Sequence, residues 1–407
     1  MHPVVKPALR QAWRDLRYVQ FGVTAAHAVV MGPVDTATGS LLSLFDGTRG
    51  LPRLREEARA IGLPDGHADA LLERLTEAGL VDDMTGGGPA AAALRKRTAA
   101  YDRLRPDLAS LSVVHPEPGG GAARLAARGA MRVQVRGAGR VGAALAAVLS
   151  ASGVGQVEVL DGGRVEPWDV APGGVPAEAV GERRAVSAQQ LVRRSAPGRA
   201  RRTARRPDGG QTEPPPLSLV IVAPRDGLSA YAPDPGAAED WMVTGTPHLY
   251  AGVAEASGVV GPLVLPGGSA CAGCLAHGRA ERDPVWPRMT AQWRMPRHRG
   301  AGPGPCDLGL ATTVAGMAAS HALSFLDGEL PASTGTRWEV SLPLLEWRSR
   351  RIGPHRDCPC GAAGQTEGER ASGAGTPHDT MAGVAASTEQ CRTADAARQL
   401  GIGGAHV

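Results

Sequence analysis

Two groups of residues in this chain have the types and spacing to do chemistry. The first is Gly137-Ala138-Gly139-Arg140-Val141-Gly142, answered by Asp161 about twenty residues on, the spacing of a nucleotide-binding turn. In that reading Gly137 permits the tight turn and Gly139 lets phosphate approach backbone N–H groups. Gly142 lets the following helix pack closely, and Asp161 supplies a carboxylate for ribose hydroxyls. The spacing serves NAD and ATP alike. The second group is Cys271-Ala-Gly-Cys274 and Cys358-Pro-Cys360, four thiols that would make a structural zinc site if brought together. The single residue inside the second pair holds its sulfurs in a narrow geometry, so His277 and His355 stand as reserve ligands. Such a zinc would staple the end of the fold to the loop after Leu265; reduced, buried thiols are the alternative. A third candidate is Cys306, placed just before an apolar helix whose N-terminus would lower its thiol pKa, against the plainer reading of a small buried residue. Cys391 carries no site argument. His115, His248 and His321 have no Ser or Cys partner at a recognisable spacing, so hydrolase catalysis is unsupported.

The elements that must position these residues predict an α/β chain in two blocks. Val133 to Arg136 reads as a strand, followed by the glycine turn, an alanine-rich helix to about Ser152 and a second strand from Val157 to Leu160, with Asp161 at its end: βαβ order. A helix near Ala177 to Arg194 and strands at Leu217 to Val222, His248 to Ala254 and Val259 to Leu265 extend the pattern. A core helix from Leu308 to Leu326 and a hairpin of Arg337 to Leu342 with Leu345 to Arg348 complete a Rossmann-like domain over residues 131–361. Residues 1–84 predict a small winged-helix-like α+β domain. Its hairpin is Tyr18 to Val23 with Ala28 to Val34, three short helices follow, and Leu80-Val81 returns to the hairpin as a strand. Residues 85–130 read as a connecting region. Residues 362–407 are Gly, Ala, Thr and Ser with scattered charge and no apolar period, the mark of a disordered tail.

Composition narrows the chemistry. The 407 residues include no Asn, and Lys occurs only at Lys6 and Lys96, so a mechanism that needs an asparagine, or a lysine beyond position 96, is excluded. The net charge of +4 is concentrated in Arg193, Arg194, Arg199, Arg201, Arg202, Arg205 and Arg206, a loop with no acid and no aromatic to stack a base. That pattern indicates a solvated linker and not a nucleic-acid groove. Leu51 to Ile61 carries Glu56 and Glu57 beside its arginines, which argues against a DNA-recognition helix. The first residues are charged where a signal peptide needs an apolar core, and the apolar stretch near Leu308 contains Ser320 and His321. The expectation is a cytoplasmic protein with reduced cysteines and neither a membrane nor a nucleic-acid partner.

The order of these features resembles the ThiF/MoeB/HesA family, bacterial relatives of ubiquitin-activating enzymes. The resemblance rests on GAGRVG after a strand, GVGQVEVLDGGRV, GERRA, LVIVA, the Cys-x-x-Cys loop after VVGPLVLPGG, the small-residue helix and the second Cys pair, from about Val133 to Gly361. It implies a ThiF fold that uses ATP and Mg to adenylate the C-terminal carboxylate of a peptide or small carrier protein, usually as a homodimer. The segments LLSLFDGTRGLPRLREEARAIGLP and LLERLTEAGLV are similar to PqqD-like domains that recognise leader peptides, which implies a peptide-maturation system with a maturation enzyme as partner. Peptide capture would then proceed by adding a peptide strand to the hairpin at Tyr18 to Val23.

Residue by residue, the resemblance places the ribose carboxylate at Asp161, Gly163 where a second Asp is expected, and Asp169 where an Asn is expected. Arg184 matches a phosphate-contacting lysine, Asp226 lies one position from the metal-binding Asp, and Cys306 falls where some members carry an acceptor thiol. Adenylation needs positive charge and amide donors on the triphosphate, since charge builds on the departing pyrophosphate. Asp169 would repel it, and the planar fork of Arg184 is no copy of a lysine. Loss of one such element costs on the order of a hundredfold in rate. The sequence therefore predicts a ThiF-type protein impaired in adenylation, its ATP site vestigial, that acts as a peptide-binding partner. An active adenylyltransferase is the alternative. An NAD-dependent oxidoreductase fits the glycine turn and leaves the cysteine pairs unexplained.

Overall fold

The computed structural model describes residues 1–198, 216–295 and 303–364. Most of the arginine loop, Cys391 and the expected disordered tail from residue 365 onward lie outside the described residues.

The N-terminal domain is built from β1 (Pro3–Val5), β2 (Gln11–Trp13), β3 (Val19–Phe21), β4 (Val29–Met31), α1 (Thr36–Ser43), α2 (Leu51–Ala60), α3 (His67–Glu77) and β5 (Val81–Asp83). Asp35 caps α1 by accepting from the Thr38 N–H at 2.7 Å. The apolar positions of the three helices, Leu41, Leu42, Leu54, Leu71 and Leu75, close on Val19 and Phe21 of β3 to form a core of their own. One expectation is corrected here and another is narrowed. Val81 pairs with Val5 of β1 and does not return to the hairpin, because the apolar run Pro3–Val5 offers the nearer open edge. β3 lies between β2 and β4, so both its edges are taken and a peptide strand can add only at β2 or β4.

The connecting region is three helices, α4 (Gly88–Arg95), α5 (Thr98–Val114) and α6 (Gly120–Arg128), joined through Leu104, Leu111 and Leu125. The second domain follows with β6 (Arg132–Arg136), α7 (Arg140–Ala151), β7 (Gln156–Leu160), α8 (Arg184–Ser195), β8 (Leu219–Val222), α9 (Leu228–Tyr231), α10 (Glu239–Val243), β9 (His248–Ala254) and β10 (Ser257–Val264). It closes with α11 (Ala272–Arg282), α12 (Trp286–Trp293), α13 (Leu308–Leu326), β11 (Thr336–Ser341) and β12 (Trp347–Arg351). The expected helix from Ala177 breaks after one 3₁₀ turn, Ala177–Ala179, and restarts at Arg184; Gly181 between them has φ +92°.

Seven strands form one sheet in the order β12-β11-β10-β9-β8-β6-β7. β7, β6, β8 and β9 run parallel, and β10, β11 and β12 continue antiparallel. One face of the parallel half is apolar throughout, through Val133, Val135, Val157, Val159, Leu219, Ile221, Leu249 and Ala251, while the other carries Arg132, Gln134, Arg136 and Glu158. α7 and α13 pack on the apolar face through Leu145, Leu149, Val314 and Ala318. α13 is long and apolar enough to cross a membrane by composition, yet its Leu310, Val314, Ala318 and Phe325 face are buried against the sheet. Its C-terminus is anchored where Arg128 of α6 forms a fork with Asp327, Nε to Oδ1 at 2.8 Å and Nη2 to Oδ2 at 2.7 Å. The ordered end of the fold reaches past the expected boundary, since Ala362 is fully buried.

Candidate functional site

The βαβ unit delivers its glycine turn to the carboxyl end of the parallel strands, where open α/β sheets place ligands. Gly137 has φ +116°, a conformation closed to residues with a Cβ. A Cβ on Gly142 would run into the Gly137 carbonyl, so the start of α7 can sit this close to the turn only with glycine there. Gly139 is the N-cap of α7 and makes no side-chain cap bond.

Asp161, at the end of β7, does not wait for a ligand. Its Oδ2 accepts from the Ala138 N–H at 2.9 Å, and its Oδ1 accepts from the Gly163 N–H at 2.8 Å and from Arg184 Nε at 2.9 Å. Arg184 Nη2 lies 2.9 Å from the same Oδ1, and Nη1 donates to the Arg164 carbonyl at 2.6 Å. The arginine expected on phosphate is therefore committed to the carboxylate expected on ribose.

Asp169 is 2% exposed. Its Oδ1 takes a 2.6 Å bond from Arg225 Nε, its Oδ2 accepts from the Glu166 N–H at 2.9 Å, and Arg184 Nη1 stands 3.7 Å away. Arg225 also pairs with Glu166 and lies over the Trp168 ring. Asp169 is thus paired with Arg225 and flanked by Arg184, but the two guanidiniums are shared with Asp161 and Glu166, so the group as a whole keeps one negative charge. Arg225 and Glu166 had no signal in the sequence, because neither stands at a motif position. Arg225 also packs against the turn, since a Cβ on Gly139 would meet its Cγ at 3.1 Å.

Two other predicted residues are not drawn into this lattice. Asp226 is exposed and accepts from the Leu228 N–H at 3.1 Å, and it belongs to no group of three possible metal ligands among the described residues. Cys306 lies near the turn, where Arg140 Nη1 donates to its carbonyl at 2.8 Å. The expected lowering of its thiol pKa is reversed: burial pushes the thiol up, and Asp307, not Cys306, caps α13 by accepting from the Leu310 N–H at 3.0 Å. As the residues stand, Asp161 and Arg184 satisfy each other, and among the described residues Asp226 joins no group of three possible metal ligands. They do not fit bound ATP and Mg in the arrangement the family resemblance implies.

The cysteine pairs do converge. Cys271 lies 3.9 Å from Cys274 and 3.5 Å from Cys358, sulfur to sulfur, and Cys274 lies 3.5 Å from Cys360. All four sulfurs fall within 4.8 Å of one another. A tetrahedral zinc with bonds of about 2.3 Å requires sulfur separations of about 3.8 Å, so this cluster can hold such a metal ion. The reserve ligands stay outside: His277 and His355 stack on each other at 4.9 Å, and His355 Nε2 turns to Glu281 at 2.9 Å. Beside the cluster lies an apolar cavity of about 540 Å³ lined by Met242, Ala276, Pro287 and three of the cysteines, a feature with no periodic signature in the sequence.

The ThiF family matches residues 120–362. Among solved structures the fold is similar to E. coli MccB with MccA-N7isoASN, at TM-score 0.62 and 12% identity over 89% of this chain and 100% of that chain. It is similar to E. coli MccB with ATP, at TM-score 0.60 and 13% identity over 90% and 100%. The heterocyclase TruD matches at TM-score 0.56 and 16% identity, over 89% of this chain and 43% of that chain. No curated protein sequence matches the chain.

Proposed function

The chain belongs to the ThiF family, and from that premise we propose that it is a peptide-binding partner in ribosomal peptide maturation, with adenylation impaired. The observation that carries this reading is the Arg184–Asp161 pair, which spends the ribose carboxylate and the phosphate cation on each other. A nucleotide entering this site has to break that pair and displace Arg225 from Gly139. The solved structures of MccB include complexes with its peptide MccA, which supports a precursor peptide as the ligand here; a small carrier protein is the alternative.

The peptide would add as a strand to β4, a free edge of the three-stranded sheet. β4 alternates in exposure: Met31 is buried while Val30 is 48% exposed, and Arg74 of α3 reaches over to the Gly32 carbonyl at 2.6 Å. β2 is exposed at every residue and offers no comparable pocket edge. In this reading the domain is of the PqqD-like kind. The four cysteines hold a structural zinc, and the protein works in a reducing compartment such as the cytoplasm.

A second reading, an active ATP-dependent adenylyltransferase, is favoured by one observation: the N-terminus of α7 at Gly139 has no side-chain cap and keeps its N–H groups for an anion. Calorimetry of the full chain with a candidate precursor peptide tests the leading reading. Binding that Val30→Asp weakens at least about tenfold is expected; binding indifferent to Val30→Asp, or none, overturns it.

A further inference from the structure

The far edge of the seven-stranded sheet is β12, Trp347–Arg351, exposed at every residue. Its register with β11 puts Arg350 beside Arg337 and Arg348 beside Glu339, on one face. Beneath that face, Arg337 is 1% exposed and Arg279 5%. Both guanidiniums lie over the Tyr231 ring, at 4.7 and 4.6 Å, and both donate to the Tyr231 carbonyl. The buried Nε of Arg337 has no hydrogen-bond partner. Burial first, and then repulsion from Arg337, pulls Arg279 down to about 10. Four guanidiniums thus face two carboxylates, Glu339 and Glu346.

The hairpin tip and the adjoining Trp347, which shares the opposite face with Ser349 and Arg351, are apolar and open. Leu342 is 40% exposed, Leu344 74%, Leu345 53% and Trp347 36%. Arginines on an edge strand can serve to block pairing with other chains. That role gives no reason to bury two further guanidiniums beneath the strand or to leave four large apolar side chains exposed at its end.

We propose that β12 docks an extended acidic segment of a partner protein. The segment adds as an eighth strand, with alternate carboxylates over Arg348 and Arg350 and alternate apolar side chains beside Trp347. A second copy of this chain is disfavoured, because antiparallel pairing of two β12 strands sets arginine against arginine. This surface is separate from the β4 edge and does not depend on the fate of the nucleotide site.

The test uses the full chain and a fluorescein-labelled peptide of alternating Glu and Val, read by fluorescence anisotropy. Saturable binding is expected. It should weaken about tenfold or more with Arg348→Glu plus Arg350→Glu, and also with the milder Arg348→Gln plus Arg350→Gln, and be unchanged by Arg105→Glu. Methylation of alternate peptide amides should abolish it, which bulk charge attraction would not explain. Three outcomes overturn the proposal: no saturable binding, binding indifferent to both double variants, or equal binding of the methylated peptide.

Discussion

Arg184 forms a fork on Asp161, with Nε and Nη2 each 2.9 Å from the same carboxylate oxygen. Through Arg225, Asp169 and Glu166 this pair extends into a lattice of three carboxylates and two guanidiniums that closes the loop after β7 onto the glycine turn. The carboxylate and the guanidinium that the family resemblance assigns to a nucleotide hold two loops together here.

If the pair closes the site, a shorter cation should reopen it. Arg184→Lys cannot fork on Asp161 and return to the Arg164 carbonyl together, so it is expected to cost about 1–3 kcal/mol of stability. The same change should raise affinity for a fluorescent ATP analogue by about tenfold. A thermal melt and a titration of the same preparation check both; a variant that gains no affinity places the obstruction elsewhere.

The cysteine cluster should account for one metal ion. Freshly purified reduced protein is expected to contain one zinc per chain by elemental analysis, and Cys274→Ser should lose it. Because metal binding is folding free energy at such a site, a strong chelator should lower the melting temperature of the parent and leave the variant unchanged.

The anchor between α6 and α13 is a buried pair, and removal of Asp327 leaves the Arg128 charge only Asp107 at 3.7 Å and the Ser152 carbonyl at 3.0 Å. Asp327→Ala is expected to destabilise by about 3–5 kcal/mol, and Arg128→Met with Asp327→Leu by much less. Denaturant unfolding of both variants decides it.

His248 gives a pH dependence. It is fully buried in β9 between Trp241 and Tyr250, and burial lowers its pKa from 6.5 to about 4. Between these values the unfolded chain binds a proton that the folded chain refuses. Stability should therefore fall as pH drops from 6.5 to 4, by on the order of 3 kcal/mol from this residue. His248→Leu should flatten that part of the stability curve, measured by urea unfolding at each pH.

The parts of the fold that repeat a local pattern were legible in the sequence. The βαβ unit declares itself through Val133 to Arg136, the glycine turn and Asp161, and α13 through an unbroken run of small apolar residues. β1 was not legible, because three residues carry no period, and β12 was placed too early, at Leu345 to Arg348, because Ser349 to Arg351 do not look like a strand. At the site, the four cysteines were legible because their spacing is itself the signal. Arg225 was not: it reaches Asp169 across 56 residues of sequence, and only the fold brings the two together.

The reading proposed for this ThiF-family chain is that its adenylation is impaired. ATP–pyrophosphate exchange by the purified full chain, with and without its precursor peptide, tests it most directly. No peptide-dependent exchange above the level of an Asp161→Ala control is predicted. Exchange that needs the peptide and disappears in Asp161→Ala would contradict the account.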